Sequence, residues 1–124
     1  MNISSLIVNI RNASKANKIK TTIQNSRANL TFIEILRNHK FILGYSHKPN
    51  NKVEVYLKYN FKKPCILNIL NLNKTSTPLY LSLSDLWKFE KDLGFVVLNT
   101  SKGIITHKNA LKNGVGGKAL AYVI

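Results

Sequence analysis

Apolar residues recur at Ile3, Leu6, Ile7 and Ile10, the i, i+3, i+4, i+7 spacing that draws one stripe along a helix. Val8 stands on the other face, and polar Asn9, Arg11, Asn12 and Lys15 lie outside the stripe or at its end. The spacing predicts a helix from about Ser4 to Ser14. Thr21-Thr22-Ile23 has the composition of a short strand. Ser26 or Asn29 can cap a second helix running through about Lys40, with Leu30, Ile33 and Leu36 inward. Phe41 to Ser46 then forms a strand, and Lys48-Pro49-Asn50-Asn51-Lys52 carries turn residues. Beyond it Val53, Val55, Leu57 and Tyr59 alternate with Glu54, Tyr56 and Lys58. That period of two is the clearest strand signal in the chain.

The segment from Asn60 to Pro64 breaks the pattern and marks a boundary between lobes. Ile66 to Asn73 is an apolar run of strand length, which periodicity alone does not separate from helix. Leu79 to Leu83 is a short strand. Ser84 caps a short helix through Lys91, and Gly94 stands where that helix stops. Phe95 to Leu98 is a buried strand. The last stretch, Asn99 to Ile124, runs as strand end, tight turn, short helix, glycine hinge at Gly114, Gly116 and Gly117, and closing strand. The expectation is an α+β protein of two small lobes. Residues 1–62 give an N-terminal α-β-α-β-β lobe, and residues 63–124 a C-terminal lobe, mostly β with short helices. There is no internal repeat and no linker long enough to separate independent domains.

Charge changes the picture most. Nineteen Lys and Arg face five Asp and Glu among 124 residues, a formal net charge of +14. Self-repulsion opposes compaction, and a polyanionic partner relieves it. The lysines recur along the whole chain, which points to a basic folded surface rather than a disordered tail. Sixteen of the nineteen cations are lysine, and asparagine and isoleucine are abundant. These residues have A/T-rich codons, so the bias fits an organelle genome or an A/T-rich bacterium. The N-terminus carries neither an apolar signal core nor an arginine-rich presequence. Synthesis inside an organelle, with a mitochondrion expected ahead of a plastid, accounts for both. Cys65 is the single cysteine, so no intrachain disulfide forms. No run of eighteen apolar residues offers a membrane helix.

Three clusters and one aromatic residue carry candidate chemistry for RNA. Thr100, Ser101, Lys102 and Gly103 set two hydroxyls and a cation around a glycine turn. Hydroxyls and exposed amides reach base edges, phosphates and 2′-hydroxyls, although the same residues also make an ordinary strand connection. Gly116 and Gly117 allow close approach of backbone to a ribose or base, or simply end the helix. Arg11, Asn12, Lys15, Asn17 and Lys18 gather at the end of the first helix, where they grip phosphate or form a solvated helix end. Tyr80 stacks on a base or covers a strand. An enzyme is hard to assemble. The acids are Glu34, Glu54, Asp85, Glu90 and Asp92, and His39, His47 and His107 show no metal-ligand spacing with Cys65. No cofactor, metal or small-molecule substrate is expected.

The C-terminal series resembles a known family. Val96, Val97, Leu98, Asn99, Thr100, Ser101, Lys102 and Gly103, then Gly116 and Gly117, then Tyr122 and Val123, are similar to the signature of the bacterial-type ribosomal protein numbered eight in the small subunit. Ile10-Arg11-Asn12-Ala13 and Ala16-Asn17-Lys18 resemble that family's first helix and following turn. The likeness covers nearly the whole chain, with the middle third the poorest match. It implies two α+β lobes and binding to an irregular stem in the central domain of small-subunit rRNA, with neighbouring small-subunit proteins packing on the bound protein. It implies RNA contact at Arg11, Asn12, Lys15, Lys18, Tyr80, Asn99, Thr100, Ser101, Lys102, Gly103, Gly116 and Gly117, and Lys118, which departs from the family, is added as a candidate phosphate contact. Two departures stand out. Asn99 occupies the place of a serine, and Lys118 the place of an acid that would orient the loop hydroxyls. A lysine accepts no hydrogen bond and offers a phosphate contact instead. The competing classes are a general basic nucleic-acid-binding protein without ribosomal specificity and a protein-interaction adaptor.

Overall fold

The computed structural model describes residues 3–60, 63–66, 68–72, 79–88 and 94–124. The chain forms two compact units, Met1–Asn68 and Ile69–Ile124. Each has helices and its own antiparallel sheet, so the expected α+β organisation in two lobes holds.

In the first unit, helix α1 spans Ile3–Lys15 and buries Ile3, Leu6, Ile7, Ile10 and Ala13, while Val8 is exposed. It stops because Asn17 turns left-handed, at φ 56°. The Asn17 and Lys18 amides then bond back to the Ser14 and Ala13 carbonyls. Strand β1 is Lys20–Gln24, and helix α2 is Arg27–Asn38. Ser26 caps α2, accepting from the Asn29 amide at 3.2 Å. Asn29 is itself buried, and its side-chain amide donates to the Gln24 carbonyl at 2.9 Å. Phe32, Ile33 and Leu36 face inward, and Leu30 is only half-buried, which corrects the expected inward set. The helix also ends two residues before the expected Lys40, because Lys40 adopts φ 64° and Phe41 bonds back to Leu36. Strands β2 (Ile42–Lys48) and β3 (Lys52–Leu57) complete a sheet of order β1-β3-β2. Short strands β4 (Tyr59–Asn60) and β5 (Lys63–Pro64) pair with each other at the segment expected to be a break.

The second unit is built on β10 (Gly117–Val123). It pairs with β6 (Ile69–Asn71), with β7 (Tyr80–Leu81) and with β8 (Phe95–Thr100). Strand β9 (Gly103–Thr106) pairs on the far side of β8. Strand β9 stands where the sequence predicts a turn leading directly into a helix; Ile104-Ile105-Thr106 is a β-branched run that suits a strand. Helix α3 covers Leu83–Trp87. Ser82 caps it rather than Ser84: its amide and hydroxyl both donate to the Asp85 carboxylate, at 3.1 and 3.0 Å. Lys88 is its C-cap, and residues 89–91 of the helix expected through Lys91 lie outside the described residues. Of the expected Ile66–Asn73 strand, Ile69–Asn71 is strand, Ile66, Asn68 and Leu72 are not, and Asn73 lies outside the described residues. Helix α4 (His107–Asn113) ends where Gly114 turns left-handed at φ 68°. Leu81, Leu86, Val96, Leu98, Ala110 and Ala119 form the core of this unit. His107, at the start of α4, is buried as well. Strand β9 ends at Thr106 opposite Val97, and the His107 Nδ1 takes the next ladder position, accepting from the Val96 amide at 3.1 Å.

Candidate nucleic-acid interface

The β8–β9 connection is a hairpin with Ser101 and Lys102 at its tip and Thr100 opposite Gly103. Gly103 has φ 102°, a conformation that a side chain disfavours. The Thr100 hydroxyl fixes the turn from inside. It donates to the Gly103 carbonyl at 3.0 Å and accepts from the Lys102 amide at 3.1 Å. Thr100 therefore shapes the loop, while Ser101, Lys102 and Gly103 are exposed.

Strand register places three more predicted residues beside that turn. Lys118 lies opposite Tyr80 on β7 and opposite Asn99 on β8. Directly opposed residues of an antiparallel sheet share a face. Tyr80, Lys118 and Asn99 therefore form one row across three strands, next to Thr100. Tyr80 and Asn99 are exposed, and Lys118 is half-buried. An aromatic ring, an ammonium and an amide in one row can take a base face, a phosphate and a base edge.

Gly116 and Gly117 serve this row differently from the expected hinge. Neither has a left-handed backbone, and Gly114 ends the helix. A Cβ on Gly117 would lie 2.6 Å from the Asn99 carbonyl oxygen and 2.6 Å from Thr100 Cγ2. One on Gly116 would lie 2.5 Å from the Leu81 carbonyl oxygen. The glycines let β10 enter between β7 and β8 and so set Asn99 and Thr100 in place. Gly94, expected as a helix stop, is likewise pressed against β10, with a Cβ only 2.2 Å from the Val123 carbonyl oxygen.

The remaining predicted residues belong to the first unit. Arg11 and Lys15 are one turn apart on α1, with Asn12 beside them and Lys18 in the turn that follows. Asn12, Lys15 and Lys18 are exposed, and Arg11 is half-buried. Two ties fix that turn: the Tyr59 hydroxyl donates to the Lys18 carbonyl, and the Leu57 amide donates to the Ile19 carbonyl at 2.9 Å. The alternation predicts Tyr59 only as a further strand residue, and nothing in its spacing signals this tie to the Lys18 turn. Burial raises the Tyr59 hydroxyl pKa.

The described acids are committed elsewhere. The Tyr45 hydroxyl and the Arg37 guanidinium hold the Glu34 carboxyl below its ordinary range. Lys20 and Lys48 do the same for Glu54. The Ser82 amide and hydroxyl lower Asp85, with a smaller part from Lys88. Among the described residues, none of these acids pairs with Arg11, Lys15, Lys18, Lys102 or Lys118. No group of three His, Cys, Asp or Glu among the described residues could hold a metal ion.

Fold and surface define a class: a small, strongly basic α+β protein of two units, whose exposed chemistry is lysines, hydroxyls and amides. The family model described as Ribosomal protein S8 matches residues 2–124. Relatives named small ribosomal subunit protein uS8 include that of Geotalea uraniireducens, 38% identical over 98% of this chain and 95% of the relative. Those of Idiomarina loihiensis and Malacoplasma penetrans are 33% and 32% identical over the same shares. The chain belongs to the ribosomal protein S8 family. It is a structural constituent of the small ribosomal subunit, not an enzyme.

Proposed function

We propose that the chain binds the central domain of small-subunit rRNA and helps that domain to assemble, with neighbouring small-subunit proteins docking on the bound form. Reading falls to the C-terminal lobe, residues 63–124, and backbone grip to the N-terminal lobe, residues 1–62. The observation that carries this is the Tyr80–Lys118–Asn99 row beside the Thr100 turn, uncompensated by a described carboxylate. Ser101 and Lys102 at the tip meet the minor groove or a bulge of an irregular stem, where shape and 2′-hydroxyls are recognised. Arg11, Lys15 and Lys18 neutralise phosphates. The lysine-rich, isoleucine-rich and asparagine-rich composition fits an A/T-rich genome, and a mitochondrial ribosome is proposed ahead of that of a plastid or of an A/T-rich bacterium.

The test compares Ser101→Ala on the central-domain stem and on an unrelated stem. A larger loss on the central-domain stem supports reading by the loop. Equal losses would reduce the loop to an electrostatic contact and favour a general basic nucleic-acid-binding protein.

A further inference from the structure

We propose that the outer face of the first unit's sheet is a second RNA-contact surface, taking the phosphates of a segment other than the one read beside the Thr100 turn. The inference rests on the rRNA-binding reading above. Ile23, Val53, Val55 and Leu57 are buried on one face of the sheet. The alternate positions face the other way. Register sets them in three rows: Lys20, Tyr56 and Gly44; Thr22, Glu54 and Ser46; Gln24, Lys52 and Lys48. Lys20, Thr22, Gln24, Lys48 and Lys52 are exposed, and Tyr56, Glu54, Ser46 and Gly44 are half-buried. The three rows carry no aliphatic side chain; Leu43, in the β2 bulge beside Gly44, is the exposed apolar residue at their edge. The face suits a polar, charged partner.

Its charge selects an anion. Glu54, on the central strand, binds Lys20 at 2.9 Å from one flanking strand and Lys48 at 3.2 Å from the other. One carboxylate cannot neutralise two ammonium groups, but it does hold both over the sheet. Lys52 pairs with no carboxylate among the described residues. It stands directly opposite Lys48, and like charges opposed across strands repel. An anion laid over the Lys48–Lys52 end relieves that repulsion. At the other end, Tyr56 shares a hydrogen bond of 3.1 Å with Ser46 and lies opposite Gly44. A Cβ on Gly44 would touch nothing within 4 Å, so open space adjoins the ring where a ribose or base can lie. RNA is favoured over an acidic protein segment by the charge around the face. Residues 1–68 carry twelve Lys and Arg against two Glu, a net +10, and both Glu are already bonded. The field is therefore broad rather than a local pocket.

The experiment is lysine acetylation of the full chain, read by mass spectrometry, free and bound to a naked central-domain rRNA transcript. The expected result is a several-fold loss of reactivity at Lys20, Lys48 and Lys52 together with Lys102. Protection of Lys102 with the three sheet lysines at their free rates would overturn the proposal and leave the rRNA-binding reading standing. Protection of the three only in the assembled subunit would assign the face to a protein and equally overturn it. Loss of Lys102 protection as well would remove both. As a second measurement, the double variant Lys48→Gln, Lys52→Gln should make the slope of log affinity against log salt shallower by about 1.4–1.8 units on that transcript. An unchanged slope would count against the face.

Discussion

Gly117→Ala isolates what the glycine pair does. The added Cβ would sit 2.6 Å from the Asn99 carbonyl oxygen and 2.6 Å from Thr100 Cγ2, with the Asn99 carbonyl carbon at 3.1 Å. Ordinary contact begins near 3.4 Å, so β10 and β8 must separate by about 0.8 Å at this point. Two of the three atoms are backbone, and β8 is itself clamped by β9. Overpacking of this kind costs about 1–3 kcal/mol. For a unit of this size, that lowers the thermal midpoint by roughly 5–20 °C. The assay is thermal unfolding followed by circular dichroism, with Gly44→Ala as control. Gly44 has open space around it and no left-handed backbone. That change should be neutral or stabilise by about 0.5–1 kcal/mol. The displacement also reaches Lys118, which lies opposite Asn99, so the preference for the central-domain stem should fall as well. If Gly117→Ala unfolds within about 2 °C of the Gly44→Ala control, the packing argument is wrong.

Other outcomes follow from the same geometry. Lys15→Ala should weaken binding to every RNA and make the salt slope shallower by about 0.7–0.9 units; an unchanged slope removes Lys15 from the interface. Tyr59→Phe loses the bond to the Lys18 carbonyl and should cost about 0.5–1.5 kcal/mol in urea unfolding. Lys20 lowers the Glu54 pKa below its ordinary 4.5 most strongly, with Lys48 adding to it, so the Glu54 contribution is present above that value and lost as pH falls through the folded one. Glu54→Gln should therefore flatten the acid limb of a stability profile, and an unaltered limb would show that the two ion pairs contribute nothing. On the basic side Glu54 raises the Lys20 pKa above 10.5, so the same variant should also remove stability that is lost as pH rises through the folded Lys20 value.

Much of this architecture was legible in the chain. The Ile3-Leu6-Ile7-Ile10 stripe and the Val53-Val55-Leu57 alternation are local patterns, and local patterns survive folding unchanged. The helix ends were harder, because Asn17 and Lys40 adopt left-handed backbone where glycine would normally announce a stop. Strand β9 was missed because four residues between a turn and a helix carry too little periodicity. The grouping of Tyr80 with Asn99 and Lys118 is a matter of register between segments far apart in sequence, which spacing along one chain does not encode. The glycine pair invited a hinge reading, and only the approach of β7 and β8 exposes its packing role.

The most direct test of the central claim is binding of the full chain to its own central-domain stem against a shuffled stem of equal length, across a salt series. A preference of about a thousandfold that persists at moderate salt is expected. Equal binding to both stems, collapsing together as salt rises, would contradict it and leave a protein held by counterion release alone.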